Sequence, residues 1–97
     1  MVRWSAPARR DLREIYRYIA LDSKFYARKV VETIVDKADL LSHSPLIGRV
    51  VPEIEDQSIR EIFAYSYRLI YEIGSEGIEI LAVIHGRRNF FENLIES

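Results

Sequence analysis

The sequence contains no cysteine, which excludes a disulfide framework and a thiolate metal site. It has two histidines, His43 and His85, too few for a zinc site without help from carboxylates. Neither a metal nor a cofactor is expected. Long apolar runs are missing too. No stretch approaches the roughly 20 apolar residues that cross a bilayer. Met1-Val2-Arg3-Trp4 lacks the apolar run of a signal peptide. The expectation is a cytoplasmic protein with no membrane partner. Lysine is scarce, with three residues against eleven arginines. A guanidinium grips phosphate or carboxylate through two parallel hydrogen bonds, which an ammonium cannot do.

What is present suffices for one small domain, residues 1–97. The chain is 48% hydrophobic, so a core is possible. A domain this size buries about two thirds of its unfolded surface, which leaves stability marginal. The net charge of −1 hides a segregation. Residues 1–31 carry eight bases and three acids, whereas residues 32–79 carry four bases and ten acids. A near-neutral total can cover a basic face, and partners of either sign stay open.

Val2-Arg3-Trp4 reads as a short first strand. Ser5-Ala6-Pro7 starts a helix: Ser5 can cap, and Pro7 fits a first turn that needs no N–H. Ala8, Leu12, Ile15, Tyr16 and Ile19 then recur at helical spacing, with Arg9, Arg10, Arg13, Glu14 and Arg17 on the opposite side, to about Leu21. Asp22-Ser23 breaks the pattern, and Ser23 caps a second helix with the stripe Ala27, Val30, Val31, Ile34, Ala38 and Leu41. So short a break predicts an antiparallel helix hairpin. Pro45 ends the second helix near Ser42-His43-Ser44, where His43 suits the helix dipole. Pro45 to Ser58 reads as a loop of about a dozen residues with an acidic patch, long enough to hint at function. Three strands follow: Ile59–Phe63, Tyr67–Ile73 and Ile78–His85, the last two joined at Gly74-Ser75-Glu76-Gly77.

The near-continuous apolar run from Ile78 to Ile84 predicts a central strand covered on both faces. With Gly74 opposite Gly77, Tyr71 faces Ile80, Leu69 faces Ala82 and Arg68 faces Val83. Alternation then gives Tyr67, Leu69, Tyr71, Ile73, Ile78, Ile80, Ala82 and Ile84 to the helix-covered face. Arg68, Ile70, Glu72, Glu79, Leu81, Val83 and His85 share the other, where a partner chain is an economical cover. Arg68 and His85 become diagonal neighbours. A single bulge would scramble this register. If the register holds, Arg68, His85, Arg87 and Arg88 converge at one end of the open face. Guanidiniums there would stabilise phosphoryl charge, and the imidazole would carry a proton near neutral pH. The missing base would come from the long loop, Glu53 or Glu55. The plainer alternative is a histidine on the surface beside arginines.

In that order the chain resembles toxins of the RelE/ParE superfamily of type II toxin–antitoxin systems. The likeness runs through Trp4, "SAPARRDLREIYRYI", Ala27…Ile34…Leu41, "HSPLIGRVVPEI", "IREIF", "YRLIYEI" and "IEILAVIHGRR". Its pattern is Asp11-Leu12…Ile15, Pro45-x-x-Gly48-Arg49, Arg60-Glu61, Tyr67-Arg68-x-x-Tyr71 and His85-x-x-Arg88. The resemblance implies an α+β fold of order β-α-α-β-β-β, a helix hairpin packed on a four-stranded antiparallel sheet. It implies a cognate antitoxin that wraps the toxin in a toxin–antitoxin hetero-oligomer.

The superfamily divides between ParE-like poisons of DNA gyrase and RelE-like enzymes that cleave messenger RNA on the ribosome. Val50–Ser58 has no lysine, unlike many RelE-like sites. The resemblance instead offers Glu53 as base, Arg68 as phosphate holder and His85 as acid, should the chain be a ribonuclease. Phe90 and Phe91 stand where a catalytic tyrosine is frequent, and His85-Gly86-Arg87-Arg88 looks like the ParE side. The expectation therefore leans to gyrase, with a ribosome-dependent endoribonuclease and an inactive antitoxin-binding scaffold as alternatives. Arg49, Arg60, Arg87 and Arg88 are the candidates to bind target or phosphate. The tail, with Phe90, Phe91, Leu94 and Ile95, is expected to pack on the domain or a partner.

Overall fold

The computed structural model describes residues 1–86. Their order is β1 (Val2–Trp4), α1 (Ala6–Ala20), α2 (Lys24–Leu40), β2 (Arg49–Val50), β3 (Ile59–Ala64), β4 (Tyr67–Gly74) and β5 (Gly77–His85). Both helices start where the capping residues predict. Ser5 Oγ accepts from Ala8 N at 3.1 Å, with proline in the first turn, and Ser23 Oγ accepts from Tyr26 N at 3.0 Å. Each hydroxyl satisfies an N–H that the helix cannot.

The sheet has five strands in the order β1-β5-β4-β3-β2. This corrects the four-stranded antiparallel expectation in two places. First, β1 lies parallel to β5, Val2 opposite Ile78 and Trp4 opposite Ile80. The chain between them, through both helices and β2 to β4, is the crossover that a parallel pair requires. Second, the long loop contributes its own edge strand, β2, pairing Arg49 with Glu61 and Val50 with Arg60.

The helix hairpin covers one sheet face. Ala8 and Ile15 from α1, and Val30, Ile34 and Ala38 from α2, pack with Leu69, Tyr71, Ile78, Ile80 and Val83. The other face has its own cluster of Val51, Ile70, Ala82 and Ile84, flanked by Ile54, Ile59 and Leu81. The chain therefore supplies part of the cover expected from a partner. A turn folded on itself brings Val51 and Ile54 there: Glu55 N donates to Val51 O at 2.9 Å, and Val51 N to Ile59 O at 3.2 Å.

The hairpin register holds from Gly74 opposite Gly77 to Tyr71 opposite Ile80 and then shifts. Ile70 faces Ala82, so Leu81 is an extra residue in β5. The bulge inverts everything beyond it. Val83 and His85 now share the helix-side face with Leu69 and Tyr67, while Ala82 and Ile84 turn to the second cluster. Two side chains, Ser5 at the cap of α1 and Asp11 within it, hold this irregular edge. Ser5 Oγ donates to Leu81 O at 3.2 Å, and Asp11 Oδ2 accepts from Val83 N at 2.9 Å. A bulge takes backbone groups out of the ladder, and such groups need other partners.

Candidate functional site

On the sheet face away from the helices, alternation brings Glu61 of β3 and Arg68 of β4 under the turn that carries Glu53. Arg68 is buried, and its guanidinium is spoken for. Nη1 and Nη2 donate to Glu53 Oε2 and Oε1, each at 2.9 Å, a bidentate pair. Nε and Nη2 donate to Glu61 Oε1 at 2.8 and 2.6 Å. The Glu61 side chain has no exposed surface, and its second oxygen accepts from Arg49 Nε at 2.5 Å. The hydrogen bond to Glu53 raises the already high pKa of Arg68, against the opposing effect of burial, and Glu61 adds to the rise. The cluster is an alternating chain, Arg49–Glu61–Arg68–Glu53.

Arg60 is also engaged, at the rim. Its Nη1 donates to Gly48 O and its Nε to Gln57 O, both at 3.0 Å, which ties the two ends of the loop together. Beneath it Tyr71 donates to Pro45 O at 2.6 Å and accepts from Gly48 N at 3.0 Å. A Cβ at position 48 would lie 2.6 Å from both Glu61 O and the Tyr71 hydroxyl oxygen. The Pro45-x-x-Gly48-Arg49 motif is thus a loop seat, with glycine required by close approach. Nearby, Ser58 donates to Asp56 from its backbone N–H and its hydroxyl, which holds the Asp56 carboxyl below its ordinary range.

His85 does not join this group. It stands opposite Tyr67 on the helix-side face, the two rings 6.2 Å apart at 77°. The expected convergence of Arg68 and His85 is therefore corrected: the bulge at Leu81 sends them to opposite faces. Grooves on either side of His85 are lined by Phe63, Ser66 and Gly86, and by Asp11, Glu14 and Tyr18. Of the sequence candidates, Arg49, Glu53 and Arg68 come together, Arg60 lies at their edge, and His85 is apart. Arg87, Arg88 and the apolar tail lie outside the described residues. The sequence reading missed Glu61 as a partner. The available sign was a carboxylate between Ile59 and Phe63 on an otherwise apolar face of the strand. Asp11 had no local sign, because its partner Val83 is 72 positions away.

Among the described residues, no group of three or more His, Cys, Asp or Glu is placed to hold a metal ion, and no helix is long and apolar enough to cross a membrane.

Two helices packed on a mostly antiparallel five-stranded sheet form an α+β fold that matches RelE/ParE-like structures. The chain matches the family described as ParE toxin of type II toxin-antitoxin system, parDE, over residues 2–90, and it belongs to that family. Among solved structures it is similar to a chain of the chromosomal ParDE toxin–antitoxin system from P. aeruginosa. There the TM-score is 0.72 at 24% identity, covering 87% of this chain and 92% of that one. A chain of the toxin–antitoxin complex RelBE2 from Mycobacterium tuberculosis follows at TM-score 0.64 and 27% identity, with 88% and 95% covered. The YoeB–YefM complex from Staphylococcus aureus shares the fold at TM-score 0.56 and 14% identity, with 88% and 94% covered. No curated protein shows a significant match.

Proposed function

We propose that this toxin arrests growth by binding DNA gyrase in the cytoplasm, and that a cognate antitoxin silences it in a hetero-oligomer. The observation that carries this reading is the commitment of Arg68. Its guanidinium makes four hydrogen bonds to two carboxylates. A phosphate could take it only by displacing Glu53 or Glu61, and removing one partner of a buried ion pair costs about 3–5 kcal/mol. The acid of the ribonuclease alternative, His85, faces the other side of the sheet. Base, phosphate holder and acid must surround one phosphodiester for hydrolysis to gain from proximity. Glu53 and Arg68 act instead as a latch on the loop. Arg49, whose side chain is 64% exposed, is left with Arg87 and Arg88 to meet the target. The antitoxin reading draws on the family and on the two-component complexes among the similar structures.

The test pairs two assays. Purified chain added to gyrase should abolish DNA supercoiling, and His85→Gln should arrest growth within about threefold of the parent, a change of less than 1 kcal/mol. New cuts in messenger RNA at ribosome-occupied codons, lost in His85→Gln, would instead make the chain an endoribonuclease. A harmless chain that still binds antitoxin would make it a scaffold.

A further inference from the structure

The turn between β3 and β4 holds a residue in a conformation that it does not favour. Ala64 pairs with Tyr67, so Tyr65 and Ser66 make a two-residue turn. Tyr65 stands at φ 56°, in the left-handed region. Glycine and asparagine take that region at little cost in hairpin turns, whereas a bulky ring is strained there. The Tyr65 ring is 53% exposed, so burial offsets little of the strain. Its contacts with α2 are slight. It approaches Tyr26 edge-on with the ring centroids 6.4 Å apart, and its hydroxyl lies 3.5 Å from Thr33 Oγ1. Backbone strain of this kind collects at sites that bind or react.

A second exposed ring stands two residues back. Phe63 is 45% exposed and shares the sheet face of its partner Arg68, away from the helices. The Arg49 guanidinium lies 5.6 Å from its ring centroid. The end of β5 closes on the same ring. A Cβ at Gly86 would come within 3.6 Å of Phe63 Cε1, and Gly86 N donates to Ser66 O at 2.6 Å. From the other side Lys37 Nζ donates to Phe63 O at 3.0 Å. The tip is thus a braced wedge with an aromatic ring on each face. Aromatic rings beside a guanidinium have the composition of an interface hot spot. A tip braced in advance also loses little freedom on binding.

We propose that this wedge is the contact by which the toxin docks on gyrase. Phe63 and Tyr65 enter an apolar cleft whose rim offers carboxylates to Arg49. The proposal rests on the gyrase reading above and gives it a surface. Arg49, already assigned to the target, is continuous with Phe63, and the chain runs from Gly86 straight into Arg87 and Arg88. Nucleic acid fits less well. Asp11 and Glu14 line the neighbouring groove beside Tyr18 and Tyr67, and their carboxylates repel phosphate.

The test measures inhibition of gyrase supercoiling, and binding to immobilised gyrase, with variants of the full chain. Tyr65→Asn relieves the left-handed strain and removes the ring. Its melting temperature should hold or rise, while the concentration for half-inhibition rises at least about tenfold. Phe63→Thr keeps a β-branched residue in the strand and should show a similar loss with circular dichroism unchanged. Tyr65→Phe restores the ring and should recover most of the inhibition. Undiminished inhibition by Tyr65→Asn or Phe63→Thr overturns the proposal. So does a lower melting temperature in Tyr65→Asn, which would make the ring a tether to α2. Both variants should copurify with the cognate antitoxin as the parent does; loss of copurification with inhibition intact would give the wedge to the antitoxin. A dimer in sedimentation that either variant dissolves would give it to a second copy. A parent chain that leaves supercoiling untouched removes the gyrase reading itself, whereas a parent that inhibits alongside equally potent variants removes the wedge alone.

Discussion

Glu61 is a carboxylate with no exposed side-chain surface, held between Arg49 and Arg68. Removing it leaves Arg68 buried with only Glu53 to answer it. Glu61→Ala should lose about 3–5 kcal/mol in urea denaturation, and Glu53→Ala, at the more open end, clearly less. Replacing both core members, Glu61→Leu with Arg68→Met, should recover most of the loss, since apolar groups of similar volume need no partner. Tyr71 makes a second residue-level prediction. Burial raises its hydroxyl above the ordinary 10.0, while the hydrogen bond from Gly48 and the charge of Arg60 oppose the rise. A proton held more tightly in the folded state gives stability that is full below pH 10.0 and declines as pH climbs through the folded value. Tyr67 is raised too, by burial and by neighbouring Tyr18 and Tyr26, and adds to the same decline. Tyr71→Phe should start about 1–2 kcal/mol less stable, because Gly48 N loses its acceptor, and should fall less steeply above pH 10.0.

The loop between α2 and β3 is held by contacts that converge on Gly48. Gly48→Ala should cost about 1–3 kcal/mol, because its Cβ meets backbone on one side and a fixed phenol on the other. In β5 the decisive contact is Asp11 with Val83 N. Asp11→Asn keeps an acceptor for that N–H and should be milder than Asp11→Ala, as thermal melting would report. The elements themselves were legible in the sequence. Ser5, Pro7 and Ser23 mark the helix starts, and the apolar spacing of Ala27, Val30, Ile34 and Ala38 gives the buried stripe. The glycines at 74 and 77 gave the hairpin register as far as Tyr71. The bulge left no such trace. Leu81 sits in a run of apolar residues in which every register looks equally greasy, so periodicity could not choose between them. The candidate site suffered for it. Two of its members, Glu53 and Arg68, do meet, but alternation was carried past the bulge and put His85 on the wrong face. The parallel placement of β1 was equally silent, because three residues carry no directional signal.

At the scale of the whole molecule, one side of the sheet belongs to the helix hairpin and the other to the latched loop. The opposed acids Glu72 and Glu79 border a groove that Arg3 shares, so β1 brings a cation to a repulsion visible in the sequence. Arg3→Glu should lower the melting temperature more at low salt than at high, since exposed charges are screened. The pairing of β1 with β5 also bears on when the protein comes into being. The strand translated first waits for the strand translated last among those described, and Ser5 finds its Leu81 partner only across 76 positions. The helices can form early, but the sheet surface beneath their shared apolar face lacks Ile78, Ile80 and Val83 until β5 is made. Contacts so distant along the chain are closed late. A polypeptide interrupted before Gly77 should therefore be protease-sensitive, and, if the chain arrests growth as proposed, a ribosome making it carries no danger until β5 is out.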